Sequence, residues 1–198
     1  MLKIFNYDIV CQEIPDEITL AFNITGCPNC CPGCHSPWLQ QDIGAVLTEK
    51  LLCEIIDKYK SGITCVCFMG GDGEPEEVLR LAAIIRDKYR NLKTGWYSGN
   101  DSVYLHDGED FTYKKSHKPK DNLTAENYED DSKPLRIRIE RLSEYLNYIK
   151  TGSYIEKAGG LRSLHTNQKL YKIAENFTLT RVQFDKDSTT ISQSNMVL

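Results

Sequence analysis

Short apolar runs and one-sided helical patterns alternate along the first half of the chain. Residues 18–24 (ITLAFNI), 63–69 (ITCVCFM) and 93–98 (KTGWYS) are short and rich in β-branched or aromatic side chains, as strands are. Between these runs, residues 48–60 and 75–89 place apolar side chains on one helical face. The order strand, helix, strand, helix, strand predicts an α/β fold in which helical crossovers connect a parallel sheet.

The regular pattern ends near the middle of the chain. Residues 101–134 are crowded with charge and show no sustained period, and we expect an inserted loop or small subdomain there. Beyond it, the pattern predicts a helix over 135–145 and strands over 146–150 and 177–184. We therefore expect a single domain over residues 1–198 that carries a charged insertion at about 101–134.

Composition and charge narrow the classes of partner. The chain has 198 residues, of which 40% are apolar and 26% are charged, as in soluble globular proteins with a substantial core. A formal net charge of −4 gives no electrostatic reason to expect nucleic acid or an anionic membrane as partner. The sequence has no apolar run of membrane-spanning length and no signal-peptide pattern. We expect a cytoplasmic protein whose eight cysteines form no structural disulfides.

Four of the eight cysteines lie in one short loop, ITGCPNCCPGCHSPW, directly after the first predicted strand. Cys27, Cys31 and Cys34 have the spacing C-x3-C-x2-C, and Cys30 is an additional thiol. A zinc site normally has four ligands, often as two pairs, and the nearest further cysteine pair lies inside an apolar predicted strand. Three cysteine ligands instead leave one iron of a [4Fe–4S] cluster open to a substrate or cofactor.

The C-x3-C-x2-C spacing resembles the signature of the radical S-adenosylmethionine (SAM) superfamily, in which three cysteines hold a [4Fe–4S] cluster. The resemblance implies that Cys27, Cys31 and Cys34 are the metal ligands. Cys30 is then the spare thiol, because C-x3-C from Cys30 to Cys34 leaves no third ligand in register.

A glycine motif, Gly70-Gly71-Asp72, follows the second predicted strand. Taken by itself, a glycine pair at this point predicts only a flexible turn before a helix. Radical SAM proteins carry a Gly-Gly-Glu-like motif at the end of the second barrel strand, where it binds the amino group of SAM. The resemblance therefore implies that Asp72 accepts a hydrogen bond from that amino group and that the two glycines allow close approach.

Finer features resemble one family of this superfamily, the anaerobic ribonucleoside-triphosphate reductase activating proteins. These features are Pro-Gly between the last two cysteines, Asp in place of Glu in the glycine motif, and a strand that ends in Trp96-Tyr97-Ser98-Gly99. Residues 148–173, with an Asn-Gln pair at 167–168, resemble the family's C-terminal block. The cofactor-binding residues that the resemblance implies are Gly33, Cys34, His35, Gly70, Gly71, Asp72 and Ser98.

This resemblance implies both a fold and a reaction. The fold is an incomplete (β/α) barrel of the radical SAM type with a mostly parallel sheet, and the cluster and SAM lie at the carboxyl ends of its strands. The expected protein is a radical SAM oxidoreductase whose cluster receives an electron from flavodoxin or ferredoxin. SAM is then cleaved to methionine and a 5′-deoxyadenosyl radical, which generates a glycyl radical on an anaerobic ribonucleoside-triphosphate reductase.

Two other functions stay open at this point. A small radical SAM enzyme similar to the 7-carboxy-7-deazaguanine synthases would act on a small molecule instead of a protein. A non-enzymatic iron–sulfur or zinc module would use the same cysteines without cleaving SAM. Metal analysis and turnover assays separate these alternatives, whereas the cysteine spacing alone does not.

Overall fold

The computed structural model of the chain describes residues 1–100, 102–106, 110–114, 139–140, 145–174, 179–184 and 193–195. The first half contains β1 (Lys3–Val10), β2 (Thr19–Ile24), β3 (Ala45–Val46), α1 (Glu49–Tyr59), β4 (Cys65–Met69), α2 (Pro75–Lys88) and β5 (Lys93–Tyr97). The later strands are β6 (Ser102–His106), β7 (Asp110–Lys114), β8 (Ile139–Glu140), β9 (Tyr148–Thr151), β10 (Lys169–Ile173), β11 (Leu179–Val182) and β12 (Gln193–Asn195). The predicted alternation of strands and helices is confirmed from β2 to β5.

Nine of the described strands form one sheet, in the order β12-β11-β10-β9-β5-β4-β2-β1-β3. The four strands at its centre, β2, β4, β5 and β9, are parallel neighbours. The strands on either side of them pair antiparallel. The expected parallel pairing is therefore found at the centre only, because β1 and β10 join their neighbours through loops that reverse the chain. Closure of the strands into an incomplete barrel stays a prediction.

Both α-helices begin at residues that favour a helix start. Thr48 Oγ1 accepts a hydrogen bond from the Leu51 N–H at 3.2 Å and caps α1, and Pro75 occupies the first turn of α2. Each helix buries one apolar face in the larger hydrophobic core, which also contains the aromatic side chains of the central strands. Within the described residues, no helix has the length and apolar character needed to cross a bilayer.

The opposite face of the central strands covers a smaller core. Cys65 and Cys67 alternate with Val66 along β4 and lie in this core with Ile14 and Leu170. Burial raises the pKa of both thiols above the ordinary value of 9.0. Both cysteines are therefore neutral core residues, as their alternation in an apolar strand predicts.

A second, three-stranded sheet consists of β6, β7 and β8, which pair antiparallel in that order. β6 and β7 lie inside the predicted charged insertion, whereas residues 115–134 of that insertion are outside the described residues. The prediction of a helix over 135–145 is wrong at Ile139–Glu140, which forms β8 by pairing with β7. A partner strand distant in sequence overrides the local helical pattern at this position.

Candidate metal centre

The predicted site residues lie where the central parallel strands end. The cysteine loop follows β2, the glycine motif follows β4, and Ser98 follows β5. Backbone hydrogen bonds join these ends, since the Gly70 N–H donates to Tyr97 O at 2.9 Å and the Ser98 N–H donates to Lys150 O at 2.8 Å. Parallel strands present their carboxyl ends at the same edge of a sheet, and segments that are far apart in sequence therefore meet there.

The cysteine loop is anchored at its start and turns back at its end. The Cys27 N–H donates to the Leu39 carbonyl at 3.0 Å. The Cys34 N–H donates to the Cys31 carbonyl at 3.1 Å, and the Cys34 thiol accepts from the Ser36 N–H at 3.4 Å. Cys31 and Cys34 thus lie on one tight turn, and the backbone already supplies a hydrogen bond to one of the three predicted ligand sulfurs.

The three predicted ligands influence one another electrostatically. Burial raises the pKa of the Cys27 thiol to about 11, and an N–H of Asn29 opposes that shift. The Asp72 carboxylate and the thiolates of Cys31 and Cys34 raise the pKa of Cys27 further. The three thiols are therefore near enough to interact, and positively charged iron would favour the thiolate form that burial disfavours.

Cys30 differs from the other three cysteines of the loop. Its side chain is exposed, whereas those of Cys27, Cys31 and Cys34 are half-buried. Its backbone has a φ of 38°, and its thiol lies 3.7 Å from the Pro28 carbonyl oxygen. These observations support Cys30 as the spare thiol, and the assignment of the three ligands stays a prediction.

Asp72 is the centre of a hydrogen-bonded group that we call the carboxylate hub, consisting of Asp72, Asn29, Ser98, Gly99 and Asn100. Asp72 is 3% exposed. Its Oδ2 accepts from Asn29 Nδ2 at 2.7 Å and from the Gly99 N–H at 2.8 Å. Its Oδ1 accepts from Ser98 Oγ at 2.7 Å and from Asn100 Nδ2 at 3.1 Å. One carboxylate therefore connects the cysteine loop with the ends of β4 and β5.

The hydrogen bonds of the carboxylate hub already engage Asp72 and Ser98, the two side chains that were expected to contact SAM. Each Asp72 oxygen already accepts two hydrogen bonds from this chain, and an amino group of SAM would have to share or displace one of these donors. Ser98 is fully buried, and its hydroxyl also accepts from the Asn100 N–H at 3.0 Å. Asp72 and Ser98 thus have a structural role, and direct contact of either with SAM stays a prediction.

The two glycines of the motif are required by the backbone. Gly70 and Gly71 have φ angles of 105° and 93°, in the left-handed region that favours glycine. A Cβ at Gly71 would lie 2.5 Å from Val78 Cγ2, and the Gly70 carbonyl accepts from Trp96 Nε1 at 2.8 Å. The pair therefore makes the turn from β4 into α2, and its contact with SAM stays a prediction.

Residues of the C-terminal block contact the end of the cysteine loop. The His35 and Tyr154 ring centroids are 4.4 Å apart. A Cβ at Gly33, whose φ is 69°, would lie 2.8 Å from Glu156 Oε2. The fold thus brings together the cysteine loop and the C-terminal block, which the sequence only suggested as two separate motifs. The cofactor contacts expected for Gly33, Cys34 and His35 stay predictions.

Lys150 is a site residue that sequence reasoning missed. It is 7% exposed at the end of β9, and its Nζ donates to two backbone carbonyls at 2.7 and 3.4 Å. Burial lowers the pKa of Lys150 to about 8, while the negative charges of Asp72, Cys31 and Cys27 oppose that shift. The sequence signal is a lysine at the end of an apolar predicted strand, and only the order of the strands brings it within the electrostatic influence of the cysteines.

The thiols fit an iron–sulfur cluster by their chemistry. Soft thiolate ligands suit such clusters, and three of them come from one loop with a desolvated member. Within the described residues, no group of three or more His, Cys, Asp or Glu side chains is placed to hold a single metal ion. A cluster distributes its ligands over several irons, so its thiolates do not have to converge on one ion.

Comparison with known proteins points to the same segment of the chain. The sequence model of the 4Fe-4S single cluster domain family matches residues 18–137, which include the cysteine loop and the glycine motif. No curated protein and no solved structure matches the chain. The match starts next to β2, so it includes all three cysteines of the C-x3-C-x2-C spacing.

Proposed function

The chain belongs to the 4Fe–4S single cluster domain family, and we propose that it is the activating enzyme of an anaerobic ribonucleoside-triphosphate reductase. In this proposal Cys27, Cys31 and Cys34 hold the [4Fe–4S] cluster, and flavodoxin or ferredoxin provides the electron. When bound, the cluster and SAM would supply the one-electron cleavage of the sulfonium carbon–sulfur bond to methionine, and the 5′-deoxyadenosyl part would take a hydrogen atom from a backbone glycine of the reductase and leave as 5′-deoxyadenosine.

The observation that carries the proposal is the contact between the cysteine loop and the glycine motif. Asn29 of the loop donates to Asp72 of the motif at 2.7 Å, although the two residues are 43 positions apart. Both segments lie at the carboxyl edge of the parallel strands, where ligand sites of α/β proteins are usually found. A cluster on the loop and a cofactor on the motif would therefore share one site.

Lys150 gives this site a positive charge. Negative charge on Cys27 and Cys31 raises the pKa of Lys150, so its ammonium in turn favours the deprotonated form in which thiols bind iron. A buried ammonium at this edge also suits a carboxylate, such as that of the methionine part of SAM. In the proposal Lys150 therefore offsets the negative charge of the thiolates and orients SAM.

For SAM itself, the proposal relies on backbone groups more than on side chains. Asp72 and Ser98 are hydrogen-bonded to each other at 2.7 Å, and we assign them the task of holding the glycine turn in position. Glycine allows close approach because it lacks a Cβ atom. The residues whose backbone contacts SAM in this proposal are Gly33, Cys34, His35, Gly70 and Gly71.

The decisive experiment is electron paramagnetic resonance (EPR) under anaerobic conditions. The reconstituted protein, SAM and a reductant are mixed with an anaerobic ribonucleoside-triphosphate reductase from the same source. We expect a glycyl-radical doublet on the reductase and formation of methionine, and both are absent when Cys31→Ala replaces the wild type. The matched control is Cys30→Ala, which retains both signals because its thiol is the spare one.

Two results would contradict the proposal. Consumption of SAM with a pterin, without a radical on the reductase, would assign the chain to the small-molecule enzymes instead. A cluster that leaves SAM intact under reducing conditions would indicate a non-enzymatic iron–sulfur module.

A further inference from the structure

A pair of aromatic rings lies where the cysteine loop meets the C-terminal block. His35 directly follows the last predicted ligand, and Tyr154 comes three residues after the end of β9. The two ring centroids are 4.4 Å apart, and the ring planes are tilted by 51°. His35 is exposed and Tyr154 is half-buried. The pair therefore keeps aromatic surface open at the carboxyl edge of the parallel strands, next to the predicted cluster ligands.

The carboxylate of Glu156 lies beside the same loop. A Cβ at Gly33 would be 2.8 Å from Oε2 and 2.9 Å from Cδ of Glu156, so the missing side chain of Gly33 leaves room for this carboxylate. Glu156 is exposed. Among the residues that the structure describes, none donates a hydrogen bond to this carboxylate or forms an ion pair with it. Its oxygens can therefore accept hydrogen bonds from a ligand.

Hydrogen bonds fix the short segment that carries this ring and this carboxylate. Asn167 Nδ2 donates to the Ser153 carbonyl at 2.9 Å. The Gly159 N–H donates to the Ile155 carbonyl at 3.0 Å and closes a turn around Glu156. A ligand that binds to this segment thus has less conformational entropy to remove than on a loose loop.

An aromatic ring and an unpartnered carboxylate together suit a nucleoside. Bases stack on aromatic side chains through their faces, whichever base it is. Ribose hydroxyls donate hydrogen bonds to carboxylates, as they do in dinucleotide-binding folds. SAM has a nucleoside part, and in the proposed function its methionine part lies at the open iron and the glycine motif. The end of the cysteine loop is then the place that remains for the nucleoside.

We propose that Tyr154 and Glu156 bind the nucleoside part of SAM, in such a way that the base stacks on the Tyr154 ring and the Glu156 carboxylate accepts hydrogen bonds from the ribose hydroxyls. His35 packs against the Tyr154 ring and limits the positions that this ring can take. The inference rests on the proposed function, because it takes SAM as the ligand of this edge. It adds two side chains of the C-terminal block to a site built from the cysteine loop and the glycine motif.

The test measures binding of 5′-deoxyadenosine to the cluster-loaded protein by equilibrium dialysis under anaerobic conditions. This nucleoside lacks methionine, so its affinity does not depend on contacts of the methionine part. Tyr154→Leu removes the ring, and its matched control is Phe5→Leu. Phe5 is 49% exposed and also contacts a second ring, that of Trp38, at 6.4 Å between centroids. We expect roughly tenfold weaker binding for Tyr154→Leu and the wild-type affinity for Phe5→Leu.

A second nucleoside isolates the carboxylate. The wild type should bind 2′,3′,5′-trideoxyadenosine, which lacks both ribose hydroxyls, roughly tenfold to hundredfold more weakly than 5′-deoxyadenosine. Glu156→Ala should bind the two nucleosides about equally. The control is Glu54→Ala, which changes a 58% exposed glutamate side chain on α1 and should keep the wild-type preference.

Several results would overturn the inference. Absence of nucleoside binding by the loaded wild type would remove the site altogether. An unchanged affinity in Tyr154→Leu would exclude stacking, and a preference that persists in Glu156→Ala would exclude the ribose contact. Loss of the cluster from both variants would also overturn it, since the two residues would then serve only the structure of the loop.

The same measurements separate this inference from the proposed function. Nucleoside binding with the expected pattern, without a glycyl radical on the reductase, would keep the nucleoside site and overturn the activating function alone. A glycyl radical formed by the wild type, with nucleoside affinities that do not change in the two variants, would keep the activating function and overturn the nucleoside site.

Discussion

Replacing Asp72 by asparagine tests the carboxylate hub with little change in side-chain volume. The Asp72 carboxylate accepts four hydrogen bonds at 2.7, 2.8, 2.7 and 3.1 Å in a site where it is 3% exposed. An amide has one acceptor oxygen, and its NH₂ group would face two of the four donors. Two buried donors would then lack an acceptor, at a cost of about 1–3 kcal/mol each.

We expect Asp72→Asn to lower the free energy of unfolding by about 3 kcal/mol, a large part of the roughly 5–15 kcal/mol by which folded proteins are stable. In a chain of this size, that loss lowers the melting temperature by about 6–12 °C. The assay is thermal unfolding of the cluster-free protein, followed by circular dichroism under reducing conditions. Use of the cluster-free protein separates the effect on folding from any effect on SAM.

The matched control is Asp42→Asn. The Asp42 side chain is 79% exposed and makes an ion pair with Lys3 at 2.7 Å, and such surface pairs contribute little to stability. If Asp72→Asn lowered the melting temperature no more than Asp42→Asn, the carboxylate hub would not stabilise the fold and this reasoning would be refuted. SAM binding by the loaded variant gives a separate answer. Direct contact with the amino group predicts a roughly tenfold to hundredfold loss of affinity, whereas a purely structural role predicts a smaller change.

Three further predictions concern single substitutions. Alanine at any of the three predicted cysteine ligands should abolish the intact cluster, whereas Cys30→Ala should keep it, and iron and sulfide analysis decides between these outcomes. Gly33→Ala should destabilise the protein by about 1 kcal/mol because of its left-handed backbone and the nearby Glu156 carboxylate, whereas Gly160→Ala should have little effect in the same unfolding assay. Burial keeps the pKa of Cys67 above the ordinary value of 9.0, so the unfolded state loses this proton first and stability falls as the pH rises above about 9. Urea unfolding at pH 8 and pH 10 should therefore show a smaller loss of stability for Cys67→Val than for the wild type, and an equal loss would contradict the assignment of Cys67 as a buried thiol.

The local elements of the fold could be read from the sequence because their signals lie within short windows. The helical periodicity of α1 and α2, the cap at Thr48 and the apolar runs of β2, β4 and β5 all predict structures that are present. Strands β1 and β10 were not predicted, since their exposed faces weaken the apolar pattern, and pairing with a neighbouring strand defines them. At Ile139–Glu140, pairing with β7 likewise prevailed over a local helical pattern.

The sequence by itself determined that three thiols at C-x3-C-x2-C spacing lie on a single loop whatever the remaining fold does, and this spacing predicts an iron–sulfur cluster. Only the tertiary structure decided what surrounds that loop. The approach of Asn29 to Asp72 and of Lys150 to the cysteines depends on the order of β2, β4, β5 and β9 in the sheet. Strand order arises from pairing between distant segments, so it cannot be predicted from a pattern confined to neighbouring residues.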